Sequence, residues 1–325
     1  MKPAKLFFHS IAHYFIPNIS HKLILLKHWY KFYELKNINK EKRVICVFPY
    51  LGGFGNGIAD RLKTCMCSYL IAKENSYNFY IYHDNGFDLR DYLIPNEVNW
   101  NIEKNQISRG FNRIQFLFSC KSIPKLSSNI TEYHPHGYMD FFHNKTYRGN
   151  DNFHNLYNKL FKPTESLKNE VSLALSHANL TAFEYIAIHI RFLDFFEKNE
   201  PDRVPAGNDA TSEEEKRNMI TNIHKCIKKI HDIHKLPIVL FSDSNTFISL
   251  KHPEYVTTLP GKIGHSQRHI KDKEVILKTF IDLYIISMSR QAYNIVGPKL
   301  YASGFSLLAS EIGGIPFERL EYVTE

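Results

Sequence analysis

Apolar residues in this chain fall into two kinds of run, and their alternation predicts a sheet with helices packed around it. Val44 to Phe48 is a compact apolar strand stopped by Pro49. A glycine turn follows over Gly52, Gly53, Gly55 and Gly57, after which Ile58, Leu62, Met66, Tyr69 and Leu70 recur at helical spacing as far as Lys73. Strand, glycine loop, helix is the opening of many nucleotide-type α/β domains. Asn78 to Tyr82 is a second short strand. Residues 84–180 mix polar and aromatic positions, with a patch of His134, His136 and His143, and follow neither period cleanly enough to assign a topology.

The second half is more regular. Glu184–Arg191 is a strand, and Glu213–His234 a helix with Met219, Ile220, Ile223, Ile227 and Ile230 on one side. Strands at Pro237–Phe241 and Tyr255–Thr258 precede a helix at Val275–Met288, a strand at Tyr293–Val296 and a helix at Phe305–Ile312. That alternation implies a parallel sheet covered on both faces. Before the first strand, Leu23, Leu26, Trp29, Tyr30 and Tyr33 have the spacing of a helix over Lys22–Leu35.

Charge changes the picture at one end. The net charge is +8, and residues 1–43 hold nine Lys and Arg against Glu34 and Glu41, so seven of the eight positive charges lie there. Beside Trp29, Tyr30, Phe32 and Tyr33, this basicity suits contact with an anionic membrane surface as well as a solvated edge packed on the next domain. Nucleic acid is not an expected partner, because the remainder of the chain is nearly neutral and carries no recognition module. No apolar stretch approaches the roughly 20 residues of a spanning helix, and no secretory signal is read. Five cysteines without a CxxC fit a reducing compartment, so a cytoplasmic location is expected, with peripheral membrane association through residues 1–43.

Chemistry concentrates at strand ends. In Tyr185–Arg191 the period of two puts Ile186, Ile188 and Ile190 on one face, and Tyr185, Ala187, His189 and Arg191 on the other. His189 and Arg191 thus project together at the carboxyl end, where open α/β sheets bind ligands. A guanidinium there suits a diphosphate, although a His and Arg paired to local carboxylates is the commoner meaning of an isolated HxR. Asp243, just past the strand Ile238–Phe241, is placed to accept from a base or ribose, or to cap the next helix. Ser303, Gly304, Phe305 and Ser306 open the last helix, where N–H groups and hydroxyls favour an anion and Ser303 doubles as an N-cap. Asp282 falls on the apolar stripe of its helix and needs a partner there. No Asp-x-Asp follows a strand, which argues against a metal-dependent GT-A enzyme; in a chain of seventeen histidines, the His134/His136 patch reads as solvent-facing side chains rather than metal ligands.

Taken in order, these segments resemble the GDP-fucose-dependent fucosyltransferase superfamily, which includes α-1,6-, α-1,2- and protein O-fucosyltransferases. Gly52-Gly53-Phe54-Gly55-Asn56 looks like its amino-terminal GGxGN loop. His189-Ile190-Arg191 followed by Asp194 is similar to its H-x-R-(R)-x-D motif, with Phe192 where several relatives carry a second Arg. Phe241-Ser242-Asp243 matches the strand-end Ser/Thr-Asp, and the stretch from Asp282 to Ser306 resembles the final motif ending in S-x-F-S.

The resemblance implies an α/β GT-B fold, with two Rossmann-like domains facing a cleft: residues 44–180 for the acceptor and 181–325 for the nucleotide-sugar donor. It implies inverting transfer of fucose from GDP-fucose to a glycan acceptor, such as a surface polysaccharide or lipid-linked oligosaccharide, without cofactor or essential metal. By position, Arg191 would stabilise the leaving GDP. His189 and Asp243 would address the guanosine, and Ser303, Gly304, Phe305 and Ser306 the diphosphate, with Asp282 in support and Gly53, Gly55 and Asn56 bordering the cleft. Glu197 and Glu200 lie near, though not at, the offset of a glutamate in the α-1,6 branch; with Asp194 they are the candidates for the general base. Two alternatives remain on the same fold: a transferase using another nucleotide sugar, and a non-catalytic nucleotide- or glycan-binding protein.

Overall fold

The computed structural model describes residues 29–31, 33–34, 41–49, 57–118, 120–136, 139–142, 151–192, 212–264 and 271–322. Two compact units emerge. The first takes in residues 1–56, 60–88 and 98–149, and the second takes in 57–59, 89–97 and 150–325.

In the first unit, β1 (Arg43–Pro49), β2 (Asn78–Asp84), β4 (Gln115–Phe118) and β5 (Glu132–His136) make a parallel sheet in the order β2-β1-β5-β4. Helix α1 (Ile58–Glu74) links β1 to β2. Its residues Leu62, Met66, Leu70 and Ile71 are buried, as the helical period predicted. The strand order reverses between β1 and β5. Their ladder pairs only Arg43 with Glu132 and Val44 with Tyr133, which leaves the carboxyl ends unpaired with each other.

The described residues 29–31, 33 and 34 are not helical, which departs from the helix expected over Lys22–Leu35. Lys31 bridges to Gly110 instead: its N–H donates to the Arg109 carbonyl at 2.8 Å, and its own carbonyl accepts from Phe111 N at 3.0 Å. The Glu34 carboxylate accepts from Arg109 N at 2.7 Å and Gly110 N at 3.2 Å. A Cβ on Gly110 would lie 2.6 Å from that of Glu34, so only glycine permits the approach. Trp29 and Tyr30 are consequently buried in the core with Ile45, Val47 and Ile107, and cannot lie on a membrane; Tyr33 is exposed. Phe32 and residues 1–28 lie outside the described residues.

The second unit holds β7 (Ile186–Ile190), β8 (Ile238–Ser242), β9 (Val256–Thr258), β10 (Gln291–Val296) and β11 (Phe317–Glu321), all parallel, in the order β11-β10-β7-β8-β9. A short antiparallel pair, β3 (Leu93–Pro95) and β6 (Phe161–Pro163), stands apart. Around them run α2 (Phe153–Leu160), α3 (Glu165–His177), α4 (Glu213–His234), α5 (Asn245–Ile248), α6 (Lys273–Ser287) and α7 (Gly304–Gly313). Residues 150–180, grouped with the first domain on sequence grounds, belong to this unit.

Ile186, Ile188 and Ile190 enter one core with Met219, Ile223, Ile227 and Ile230 of α4, so the period-two reading of β7 holds. Helix α4 starts at a capping box, in which Ser212 and Glu215 bond reciprocally, with three Glu in its first turn opposing the helix dipole. Helix α7 packs so closely on α6 that a Cβ at Gly313 would sit 2.0 Å from the Ser287 carbonyl oxygen. Gly313→Ala should therefore destabilise the chain by about 1–3 kcal/mol, the usual cost of overpacking. An unchanged melting temperature would show that the α6–α7 contact yields.

Candidate functional site

In the second sheet the strand order turns between β7 and β10: the chain runs outward through β8 and β9 on one side, then returns to β10 and β11 on the other. Ligands of open α/β sheets bind outside the carboxyl ends of the strands at such a reversal. The residues singled out by sequence stand there. His189 and Arg191 close β7, and the loop after β10 leads to Ser303 and α7.

Asn294, in the middle of β10, fastens the two sides together. It is fully buried. Its Nδ2 donates to the His189 carbonyl at 2.9 Å, and its Oδ1 accepts from Ser303 N at 3.0 Å. Ser303 is also buried, and its Oγ accepts from Phe305 N at 3.2 Å, so it is the N-cap of α7. That hydroxyl sets the helix start. The first N–H groups of a helix have no partner within it, and those beyond Phe305 define the anion-favouring end of α7.

His189 Nδ1 lies 3.3 Å from Ser306 Oγ, and the ring packs 5.7 Å from that of Phe305. Burial, with the Arg191 charge added, pushes its pKa down to about 3. The imidazole is therefore neutral at physiological pH.

Arg191 and Asp243 face each other from adjacent strand ends, with Nε to Oδ2 at 3.8 Å and both side chains partly exposed. That separation exceeds a hydrogen bond. The ion pair orients the guanidinium toward the Asp243 side of the strand ends. Asp243 Oδ1 meanwhile accepts from Phe192 N at 2.8 Å, shaping the turn just past β7. Asp243 is thus bound to the Arg191 turn, and the cap of α5 is Ser244, whose Oγ accepts from Phe247 N at 3.0 Å. Arg191 also stands 5.2 Å from the centre of the Tyr301 ring, whose backbone N–H donates to the Arg191 carbonyl at 2.9 Å. Tyr301 is half exposed.

Asp282 is not among these contacts. Its partner is Lys278, one turn earlier on α6; Lys278 is buried and Asp282 is partly so. Burial raises the Asp282 pKa and Lys278 opposes that. Its structural reading is the one the geometry supports. Asp194, Glu197, Glu200, Gly53, Gly55 and Asn56 lie outside the described residues.

Two residues escaped sequence reasoning. Asn294 looked like one polar interruption of an apolar strand; an amide in a strand with no polar face was the available signal. Tyr301 sits in a loop with no periodicity to flag it. His134 and His136 correct the surface reading, since both are buried. Among the described residues, no group of three or more His, Cys, Asp and Glu could hold a metal ion, and no helix is long and apolar enough to cross a membrane.

The strand orders, with a ligand-binding reversal in a five-stranded parallel sheet, invite comparison with solved structures. A mutant of Arabidopsis thaliana FUT1 in complex with GDP superposes with a TM-score of 0.53 at 13% identity, covering 95% of this chain and 76% of that one. NodZ α-1,6-fucosyltransferase soaked with GDP-fucose gives 0.55 at 12% identity, covering 84% and 93%. Fucosyltransferase NodZ from Bradyrhizobium gives 0.54 at 12%, covering 83% and 92%. The fold is that of the GT-B fucosyltransferases. No family model matches the chain, and no curated protein does either. At such low identity the GT-B likeness is one of architecture. What the GT-B site does in this chain is argued from its own residues.

Proposed function

We propose that this chain is an inverting glycosyltransferase that moves fucose from GDP-fucose to the hydroxyl of a glycan acceptor, a surface polysaccharide or a lipid-linked oligosaccharide. One observation carries the reading. A fixed cation, Arg191, and the start of α7 stand on the two strands that flank the reversal of the donor-side sheet. The order of the sequence motifs supports it, as do the GDP and GDP-fucose bound by structures of the same fold.

In this reading Arg191 and the N–H groups of α7 take the charge that grows on the β-phosphate as the sugar leaves. Neutral His189 and the Asp243 turn define the nucleoside side, with Asn294 holding both walls in register. The acceptor oxygen attacks the anomeric carbon from the face opposite the leaving phosphate, and GDP departs with the bonding electrons. No metal is required by this scheme. Asp194, Glu197 and Glu200 stay candidates for the base by position alone. Association with an anionic membrane belongs to the same proposal, carried by the basic residues that precede Trp29.

Ligand-induced stabilisation tests the donor. GDP at about a hundred times its dissociation constant should stabilise the protein by about 2.7 kcal/mol, while UDP and CMP at the same concentration shift the melting temperature far less. A larger shift with UDP would assign the site to a different nucleotide sugar. GDP binding without turnover of any GDP-sugar would make the chain a binding protein.

A further inference from the structure

The loop from β10 to α7 is built around a strained turn. The Gly297 carbonyl accepts from Leu300 N at 3.0 Å, with Pro298 and Lys299 between them. Proline sets a negative φ at the second position, and Lys299 has a φ of +67° at the third, which makes a type II turn. That third position favours glycine. A lysine there carries backbone strain, which persists only where the surroundings hold it. Here they do. The Tyr322 hydroxyl donates to the Pro298 carbonyl at 2.7 Å, and the Tyr322 ring fills the space that a Cβ on Gly297 would need. Lys299 Nζ stands 3.9 Å from Glu215 Oε1 in the first turn of α4. Leu300 is buried in the core with Ile188, Ile190 and Ile295. Further on, Asn294 Oδ1 accepts from Ser303 N.

Tyr301 is the residue that this turn delivers. Its N–H donates to the Arg191 carbonyl at 2.9 Å, which stitches the loop to the end of β7. Its side chain does not follow Leu300 into the core, and is half exposed. The Arg191 guanidinium stands over its ring, 5.2 Å from the centre. A single exposed aromatic side chain is ordinary on a protein surface. The pairing is what carries meaning: one residue meets Arg191 through both its main chain and its ring. The backbone bond fixes the two main chains against each other, so the ring and the guanidinium are brought together by a turn that is fastened on either side.

On its other flank Arg191 has Asp243, with Oδ2 at 3.8 Å from Nε. The chemistry of these neighbours differs. A carboxylate draws a guanidinium by its N–H groups, the same groups that a phosphate would use. An aromatic ring attracts the cation through its quadrupole and brings no negative charge to oppose an incoming anion. It can therefore hold the long side chain in one place before the ligand arrives, which lowers the ordering cost of binding. We propose that Tyr301 is a positioning residue for Arg191, its ring holding the guanidinium at the carboxyl end of β7 ready for the donor diphosphate. The inference rests on the glycosyl-transfer reading, in which Arg191 takes the phosphate charge. Tyr301 acts through Arg191, and its hydroxyl has no part in this.

Arginine-selective nitrogen NMR on the full chain reads the contact without any ligand. Ring currents displace the resonances of nearby protons. The Arg191 Nε–H signal, assigned by its absence from Arg191→Ala, should therefore move in Tyr301→Leu and stay near its parental position in Tyr301→Phe. Tyr301 is half exposed, so both changes leave the core intact. Calorimetric titration of GDP into the same proteins should show affinity lower by roughly 2–5-fold in Tyr301→Leu, the size of an exposed cation–π contact. Tyr301→Phe, which keeps the ring face, should rescue it. In the Arg191→Ala background Tyr301→Leu should cause no further loss, because the ring has no cation left to hold. An Arg191 signal that ignores Tyr301→Leu, a GDP affinity that ignores it, or an equal loss with and without Arg191 overturns the inference. A parent that does not bind GDP strikes the glycosyl-transfer reading instead, and the Arg191 signal still decides whether Tyr301 holds the guanidinium.

Discussion

Arg191→Ala should reduce sugar transfer from GDP-fucose by roughly 10²–10³-fold, the cost of removing one preorganised group from a developing oxyanion. The loss should appear in kcat as well as in donor affinity, because the phosphate charge is greatest in the transition state. Arg191→Lys should recover little. An ammonium keeps the charge but not the planar pair of donors that meets two phosphate oxygens at once. Folding should be nearly untouched. The pair with Asp243 is 3.8 Å long and its side chains are partly exposed, so solvent screening leaves it worth about 0–1 kcal/mol. Rates measured beside a thermal melt separate the two effects. A well-folded Arg191→Ala protein with parental turnover would remove Arg191 from the reaction.

Arg43→Met should have the largest effect on stability. The guanidinium and Glu132 are both buried, and the carboxylate is the acceptor for Arg43, Ser108 and His134 together. Removing one partner of a buried pair strands the other, at about 3–5 kcal/mol. Replacing both with apolar residues would cost less per partner, but His134 would then lose the group that orients it. The melting temperature should drop by roughly 10 °C. The Glu132 pKa in the folded chain is depressed, so its contribution is present above the unfolded value. It is lost as pH falls below the unfolded carboxylate range and through the folded value. Thermal melts from pH 7 to pH 3 should therefore show the gap between parent and Arg43→Met closing in acid. A gap that persists unchanged at pH 3 would contradict the pairing.

How much of this was visible beforehand depended on where each element's partners lie. Strand β7 was legible because Ile186, Ile188 and Ile190 bury a clean period of two, and α4 because its apolar stripe packs on them. The motif residues His189, Arg191, Asp243, Ser303 and Ser306 do converge, since a parallel sheet brings all carboxyl ends to one edge. Strand β5 was illegible for the opposite reason. Glu132, His134 and His136 are polar and buried, satisfied by Arg43, Tyr30 and each other, so hydrophobicity carries no trace of the strand. Tyr30 itself was misplaced on a helix. Its spacing to Leu26 and Tyr33 is helical, but Lys31 pairs with Gly110, a partner 79 residues along the chain that no local pattern reveals. Roles within the site were harder still. Asp243 was expected to address the nucleoside, and the structure adds a contact no pattern announced, its Oδ1 accepting from the backbone of Phe192. A contact to a main-chain N–H leaves no mark in a sequence. Ser303 had the two meanings of cap and anion ligand, and the distance to Phe305 N shows the cap.

Calorimetric titration of GDP and of guanosine into the parent and into Arg191→Ala compares the diphosphate with the base directly. A hydrogen-bonded charge contact contributes about 1.5–3 kcal/mol. GDP affinity should therefore fall roughly 10–150-fold in Arg191→Ala, while guanosine binds both proteins equally. Equal GDP affinity in the two proteins, or an equal loss for guanosine, would mean that Arg191 does not hold the diphosphate.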